Sequence, residues 1–264
     1  MPSDRDPASV PTGEDVPAAG PDPTKGPLFI RWQEPAPDQL APRHVEARRL
    51  AEAMRTIIEA LAATAAPLET LTAAADALEA VAVRFVDLEE EKIFDGFAEA
   101  ANIGGDLFAL FERSPFMGRA NPLSPPIALR EKDGTIEGRG TFGSAYEGPP
   151  GCVHGGYVAG AFDEILGATQ SLAGNPGMTG TLTVRYRSPT PLHAELHFIG
   201  ELVKVEGRKI FTEGRVFAGE RLCAEAEAVF ISMKPGTFLE LARQRSEQRV
   251  RSAGAAGETG SDQS

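Results

Sequence analysis

The residues best placed to do chemistry lie in GCVHGGYVAGAFDEILG, residues 151–167: His154, Gly155, Gly156 and Asp163. The run after the histidine reads as a helix, which puts Gly155-Gly156 at its start. A helix N-terminus leaves several amides unpaired, and its dipole favours negative charge. Glycine lets a ligand approach the backbone closely. The pair therefore suits a carbonyl oxygen that gains charge during a reaction, with the Gly155 amide as donor. Asp163 adds a carboxylate eight residues after Gly155, roughly 12 Å further along the axis. A carbonyl held at Gly155 is too far from Asp163 of its own chain. If both serve one reaction, the spacing predicts an amide from one subunit and a carboxylate from another.

Other readings of these residues stay open. The glycines Gly156, Gly160 and Gly167, with Ala161 and Ala168, could mark a helix stripe packed closely on a sheet. Ala224, Ala226 and Ala228 would be matching small residues on a strand. His154 could act as a side-chain base or simply shape the loop. Asp163 could be a solvated helix acid. Cys152 lies two residues before His154 and invites a Cys–His nucleophile, but no orienting third group is apparent. Cysteine is more usually a small buried apolar residue.

The elements that position this stretch can be read from periodicity. Residues 1–41, rich in Pro, Asp, Gly and Ala, read as a disordered tail, and 236–264 as a helix end followed by a second tail. Residues 42–119 read as a helical extension. Leu50, Met54, Ile57, Ile58 and Leu61 make one helical stripe; Leu68, Leu71, Ala75, Leu78, Ala82 and Phe85 make another after Pro67. Together they predict an antiparallel helix pair. Ile93, Phe94, Phe97, Leu107, Phe108 and Phe111 could extend the helical packing, and SPFMGRANPLSPP is a loop by its prolines.

From residue 126 the pattern turns to strands. Asp133-Gly134 between two short runs signals a hairpin. After the helix, MTGTLTVRYR alternates: Met178, Leu182, Val184 and Tyr186 face one way, Thr179, Thr181, Thr183, Arg185 and Arg187 the other. Leu192, Ala194, Leu196 and Phe198 share a face, a turn falls at Glu206-Gly207, and Leu222, Ala224, Ala226, Ala228 and Phe230 share one face of the last strand. Short connections make these strands antiparallel. One long helix on one antiparallel sheet is an α+β layer arrangement.

Composition narrows the classes. The chain has 264 residues and a net charge of −12, which argues against a general nucleic-acid binder. The second helix also lacks the basic residues of a DNA-reading helix-turn-helix. Two cysteines make no disulfide framework, and no metal-ligand spacing is present. No signal pattern or membrane-spanning apolar run is seen, so the expected location is cytoplasmic, without a membrane partner.

HGG with an acid nine positions after the histidine, followed by MTGTLTVRYRSPTPL, resembles the hotdog-fold acyl-CoA thioesterases of the phenylacetate-pathway type and their relatives. The resemblance covers residues 120–235. It implies a hotdog fold, an antiparallel sheet wrapped around one long central helix, here preceded by the N-terminal helix pair. It implies hydrolysis of acyl-CoA to a carboxylic acid and free CoA, at sites on the interface of a homodimer or dimer of dimers, with no cofactor or metal. Residue by residue, His154 and Gly155 match the HG pair whose amide polarises the thioester carbonyl. Asp163 matches the carboxylate that acts as general base or nucleophile, and Thr179 a threonine that positions the water or the acid. Glu164 departs from the simple pattern. Neighbours on a helix point about 100° apart, so one acid faces the site, and spacing selects Asp163.

CoA carries phosphates, so Gly156, Arg185 and Arg187 are candidate substrate contacts, with Lys204, Arg208 and Lys209 as a further basic cluster. The acyl group is left open; Tyr157, Phe162 and the residues near Phe116 could set pocket depth. Two alternatives remain: a non-catalytic acyl-CoA sensor, which would not need Asp163, and an enoyl-CoA hydratase, whose motif is not found.

Overall fold

The computed structural model describes Asp38, residues 40–86, Leu88, and residues 112–174 and 177–232. The expected C-terminal tail, most of the N-terminal one, and the apolar residues at 93–111 lie outside the described residues.

Two helices come first, α1 (Pro42–Ala63) and α2 (Leu68–Val86). Ala41 is extended and Pro42 sits in the first turn of α1, where a missing N–H costs nothing. Both helices match the predicted stripes, but they do not form a packed pair. No residue of α2 is buried. In α1 the leucine stripe faces outward, with Leu50, Met54, Ile57 and Leu61 40–64% exposed. A polar stripe docks instead. Arg48 pairs with Glu112 through both Nε and Nη2. Arg55 Nη1 donates to the Asn121 carbonyl at 2.9 Å and Nη2 to that of Arg119 at 3.1 Å. Periodicity locates an apolar stripe, but the specific partners of these guanidinium groups decide which face docks.

The domain proper is a six-stranded antiparallel sheet in the order β1-β2-β4-β5-β6-β3. Its strands are β1 (Ala128–Lys132), β2 (Thr135–Thr141), β3 (Gly177–Tyr186), β4 (Glu195–Glu206), β5 (Lys209–Ala218) and β6 (Arg221–Ser232). Asp133 and Gly134 both have positive φ, 50° and 78°, as the two-residue hairpin signal requires. Helix α3 (Gly155–Gln170) crosses one face of the sheet and buries Val158, Ala161, Phe162, Ile165, Leu166, Ala168 and Thr169. Phe198, Ile210, Val216 and Phe230 complete the core.

Close approach of helix to sheet is made possible by small residues on the strands. One ladder row runs Ile136, Gly200, Gly214, Ala226, Val184. A Cβ on Gly200 would lie 2.2 Å from Thr169 Oγ1, and one on Gly138 2.6 Å from Ile165 Cδ1. Ala224, Ala226 and Ala228 are buried as expected. The helix glycines play another part. Gly156 is exposed, Gly167 has open space where a side chain would be, and Gly160 faces Phe116, whose Cζ is 2.3 Å from where a Cβ would lie. They do not make the sheet contact, because the residues that point to the sheet are the large ones, Phe162, Ile165 and Leu166.

Candidate active site

The loop before α3 is tightly folded. His154 N–H donates to the Tyr146 carbonyl at 2.8 Å, and Gly148 N–H to that of Cys152 at 2.9 Å. A Cβ on Gly148 would fall 2.8 Å from His154 Cα, so glycine permits the closure. His154 is the N-cap of α3, and its Nδ1 accepts the Gly156 amide at 3.0 Å. That bond satisfies one orphan amide of the helix start. It gives His154 a local structural partner, and it occupies the Gly156 amide, which the sequence reading assigns to substrate. The Gly155 amide is left without a hydrogen-bond partner among the described residues, and the residue is half-buried. Tyr186 Oη donates to the Gly155 carbonyl at 2.7 Å and so fixes this residue from its other side. Cys152 donates to the Pro150 carbonyl, at 3.6 Å, rather than engaging His154.

Asp163 is exposed, two turns further along α3. Its Oδ1 accepts from Thr179 Oγ1 at 2.8 Å, and its Oδ2 has no hydrogen-bond partner among the described residues. Strict alternation puts Thr179 on the face of Arg185 and Arg187, away from α3. The register shows otherwise: Leu182 pairs with Ala228, Thr181 with Val229, and Thr179 with Phe230. Gly180 is an extra residue, a β-bulge, and it reverses the alternation on its N-terminal side. Thr179 therefore joins Leu182, Val184 and Tyr186 on the helix face. Met178, expected on that face, is 50% exposed.

The same register separates the two arginines from the site. Arg185 and Arg187 stand on the opposite face of the sheet, paired with Glu227 at 2.5 Å and Glu225 at 2.6 Å. Lys204 is likewise paired, with Glu206 at 2.8 Å. The structure thus brings Asp163 and Thr179 together, places His154, Gly155 and Gly156 at the far end of the helix, and sets Arg185 and Arg187 elsewhere.

Glu164 takes a different environment from its neighbour. Its side chain is partly buried, and its Oε1 accepts from Ser114 Oγ at 2.5 Å. Burial pushes its carboxyl up to about 7, opposed by the Ser114 hydrogen bond and reinforced by the charge of Asp163. The Ser114 hydroxyl also accepts the amides of Phe116 and Met117, so its one proton and two lone pairs are all used. Through Ser114, Glu164 therefore ties residues 114–117 to α3. Sequence reading missed this anchor, as it missed Tyr186 and Gly148 as supports of the Gly155 end. Each acts through a contact that no local pattern announces. Among the described residues no group of three His, Cys, Asp or Glu side chains could hold a metal ion, and no helix is long and apolar enough to cross a membrane.

Comparison with known proteins matches residues 150–225 to a family described as "Thioesterase superfamily". The chain is 38% identical over 95 residues to "Acyl-coenzyme A thioesterase THEM4" of Xenopus laevis, a match covering 35% of this chain and 43% of that protein. It is 35% identical over 91 residues to the Mus musculus protein of the same name, covering 34% of this chain and 39% of the relative. The match thus spans about two fifths of the length of these curated relatives. Among solved structures, "protein RHA08564, thioesterase superfamily protein" superposes with a TM-score of 0.62 at 32% identity, covering 70% of this chain and 94% of the other.

Proposed function

The chain belongs to the thioesterase superfamily, and from that premise we propose that it hydrolyses acyl-CoA thioesters to a carboxylic acid and free CoA. The observation that carries this reading is the Thr179–Asp163 hydrogen bond at 2.8 Å, with the second carboxylate oxygen left for a water. Thr179 donates a hydrogen bond to Asp163 and keeps its proton, and its lone pairs can accept from that same water. Asp163 then takes the water's proton as the water attacks the thioester carbonyl. The carbonyl oxygen lies at the Gly155 amide, which stabilises the charge it gains. The C–S bond then breaks, and the departing thiolate of CoA takes up the proton that Asp163 removed from the water, which returns the carboxylate to its starting state.

Such a site needs two chains, and the edge strand supports their arrangement. β3 pairs with β6 on one side and is last in the sheet order. Two β3 strands joined antiparallel along their free edges set the Thr179 end of one against the Tyr186 end of the other. Tyr186 holds Gly155. Asp163 of one protomer thereby meets the Gly155 amide of its partner, as the separation of roughly 12 Å along one helix demands. The dimer, with two equivalent sites, follows from this pairing.

The test is thiol release from a panel of acyl-CoAs spanning aromatic, medium-chain and long-chain groups, with Asp163→Asn beside the wild type. Release that collapses in a folded, dimeric variant supports the reading. A wild type that binds acyl-CoA without cleaving it would replace it with the sensor function.

A further inference from the structure

Helix α1 lies outside the residues matched by the family, 150–225, yet one of its side chains reaches the turn that leads into the Gly155 loop. Glu59 Oε2 accepts the Ser144 amide at 2.7 Å, and Oε1 accepts the Ser144 hydroxyl at 2.7 Å. His193 Nε2 lies 3.1 Å from the same hydroxyl and 3.9 Å from Oε1. The backbone beneath is shaped for this carboxylate. Gly143 has φ −88° and ψ −170°, which any residue adopts, so its backbone does not call for glycine. A Cβ at Gly143 would instead lie 2.2 Å from Glu59 Oε2. Glycine here is a seat for the acid.

The seat connects directly to the catalytic loop. Ser144–Tyr146 is a single 3-10 turn, and the carbonyl of Tyr146 accepts the His154 amide at 2.8 Å. The Tyr146 ring packs edge-on against Tyr157 of α3, centroids 4.9 Å apart, and against Phe142 at 5.2 Å. Its hydroxyl donates to the Leu123 carbonyl at 2.9 Å. On the other side His193, whose ring borders Glu59, donates its amide to the Phe142 carbonyl at 2.8 Å. The Ser144 hydroxyl bond, with the Ser144 amide, holds Glu59 below the usual carboxylate range against the opposing effect of burial, so it remains an ionised acceptor.

We propose that Glu59 is a positioning residue for thioester hydrolysis: seated on Gly143 and Ser144, it fixes the turn whose Tyr146 carbonyl holds His154, and so the aim of the Gly155 amide. The helical extension is then part of the catalytic apparatus. This rests on the reading that Gly155 donates to the thioester oxygen. An oxyanion donor acts chiefly in the transition state, so its misplacement lowers kcat more than it raises KM.

The test uses the full chain with Glu59→Ala, Gly143→Ala and the double variant. Glu59→Gln serves as a milder form that keeps the size and turns an NH2 group toward Ser144. Two quantities are read: kcat and KM on the best acyl-CoA, and amide hydrogen exchange in peptides covering 143–158. Each single variant is expected to lower kcat by roughly tenfold to a hundredfold, with KM within about twofold, and to speed exchange in that segment. The double variant should be no worse than either single, because both changes break one contact and their effects do not add. Unchanged kcat in Glu59→Gln and Gly143→Ala, or fully additive losses, overturns the proposal. If the wild type cleaves no thioester, the functional reading fails separately. Exchange then still decides the seat: non-additive acceleration supports it and unchanged exchange refutes it.

Discussion

Thr179 and Tyr186 stand on the same face of the edge strand, and each donates one hydrogen bond to helix α3: Thr179 to Asp163 at 2.8 Å and Tyr186 to Gly155 at 2.7 Å. One strand thus grips both chemical ends of one helix. The gripping strand is also the sheet edge, so in the dimer proposed above it would set the Thr179 end of one protomer beside the Tyr186 end of the other.

This arrangement predicts complementation. Gly155→Pro removes the amide proton at the first helical position, which proline tolerates. Its ring approaches the Tyr186 hydroxyl, since even a Cβ at this position would lie 3.1 Å away, so Tyr186→Phe is added to make room. This variant and Asp163→Asn are each expected to lose about a hundredfold or more in kcat as homodimers. Mixed by refolding together, they should recover about a quarter of wild-type activity, since half the dimers are hybrids and each hybrid holds one intact site. No recovery in assayed hybrids would place both groups of a site in one chain.

Thr179→Val keeps the shape of the side chain and deletes its hydroxyl. Asp163 loses its partner and the water its acceptor. The expected result is a kcat lower by roughly tenfold to a hundredfold, restored in large part by Thr179→Ser. Steady-state kinetics of both variants check it.

Glu164 links stability to pH. Its carboxyl is raised to about 7 in the folded chain, chiefly by burial, from about 4.3 when unfolded. Between those values the folded state keeps a proton that the unfolded state has released, so this contribution is fully present below a pH of about 4.3 and is lost as pH rises to about 7. Its size is on the order of 3 kcal/mol. Glu164→Gln should remove the dependence and exceed the wild type in stability at pH 8. Urea midpoints at pH 5, 6, 7 and 8 for the two proteins measure the difference, with other groups cancelling.

Gly200→Ala tests the contact of helix and sheet. The added methyl would fall 2.2 Å from the buried Thr169 Oγ1, with Ile165 alongside. Overpacking of this kind costs about 1–3 kcal/mol. A lowered denaturation midpoint with unchanged secondary structure is the expected outcome, and Thr169→Ala in the same chain should return part of the loss.

The sequence by itself determined the element order, the turns, the face of most strands and the short stretch that holds Gly155 and Asp163. These are local properties: glycine at a helix start, alternation with period two, and spacing along a helix axis. Tertiary structure decided the rest. A single bulge at Gly180 moved Thr179 to the helix face, since one extra residue inverts every position beyond it. Hydrogen-bond partners up to 85 residues apart, as between Glu59 and Ser144, turned the polar side of α1 inward and its leucines outward. The pairing of Glu164 with Ser114, fifty residues away, separated two adjacent acids into one partly buried and one exposed. Periodicity reports which side chains share a face, but which face is covered depends on groups that only the folded chain brings together.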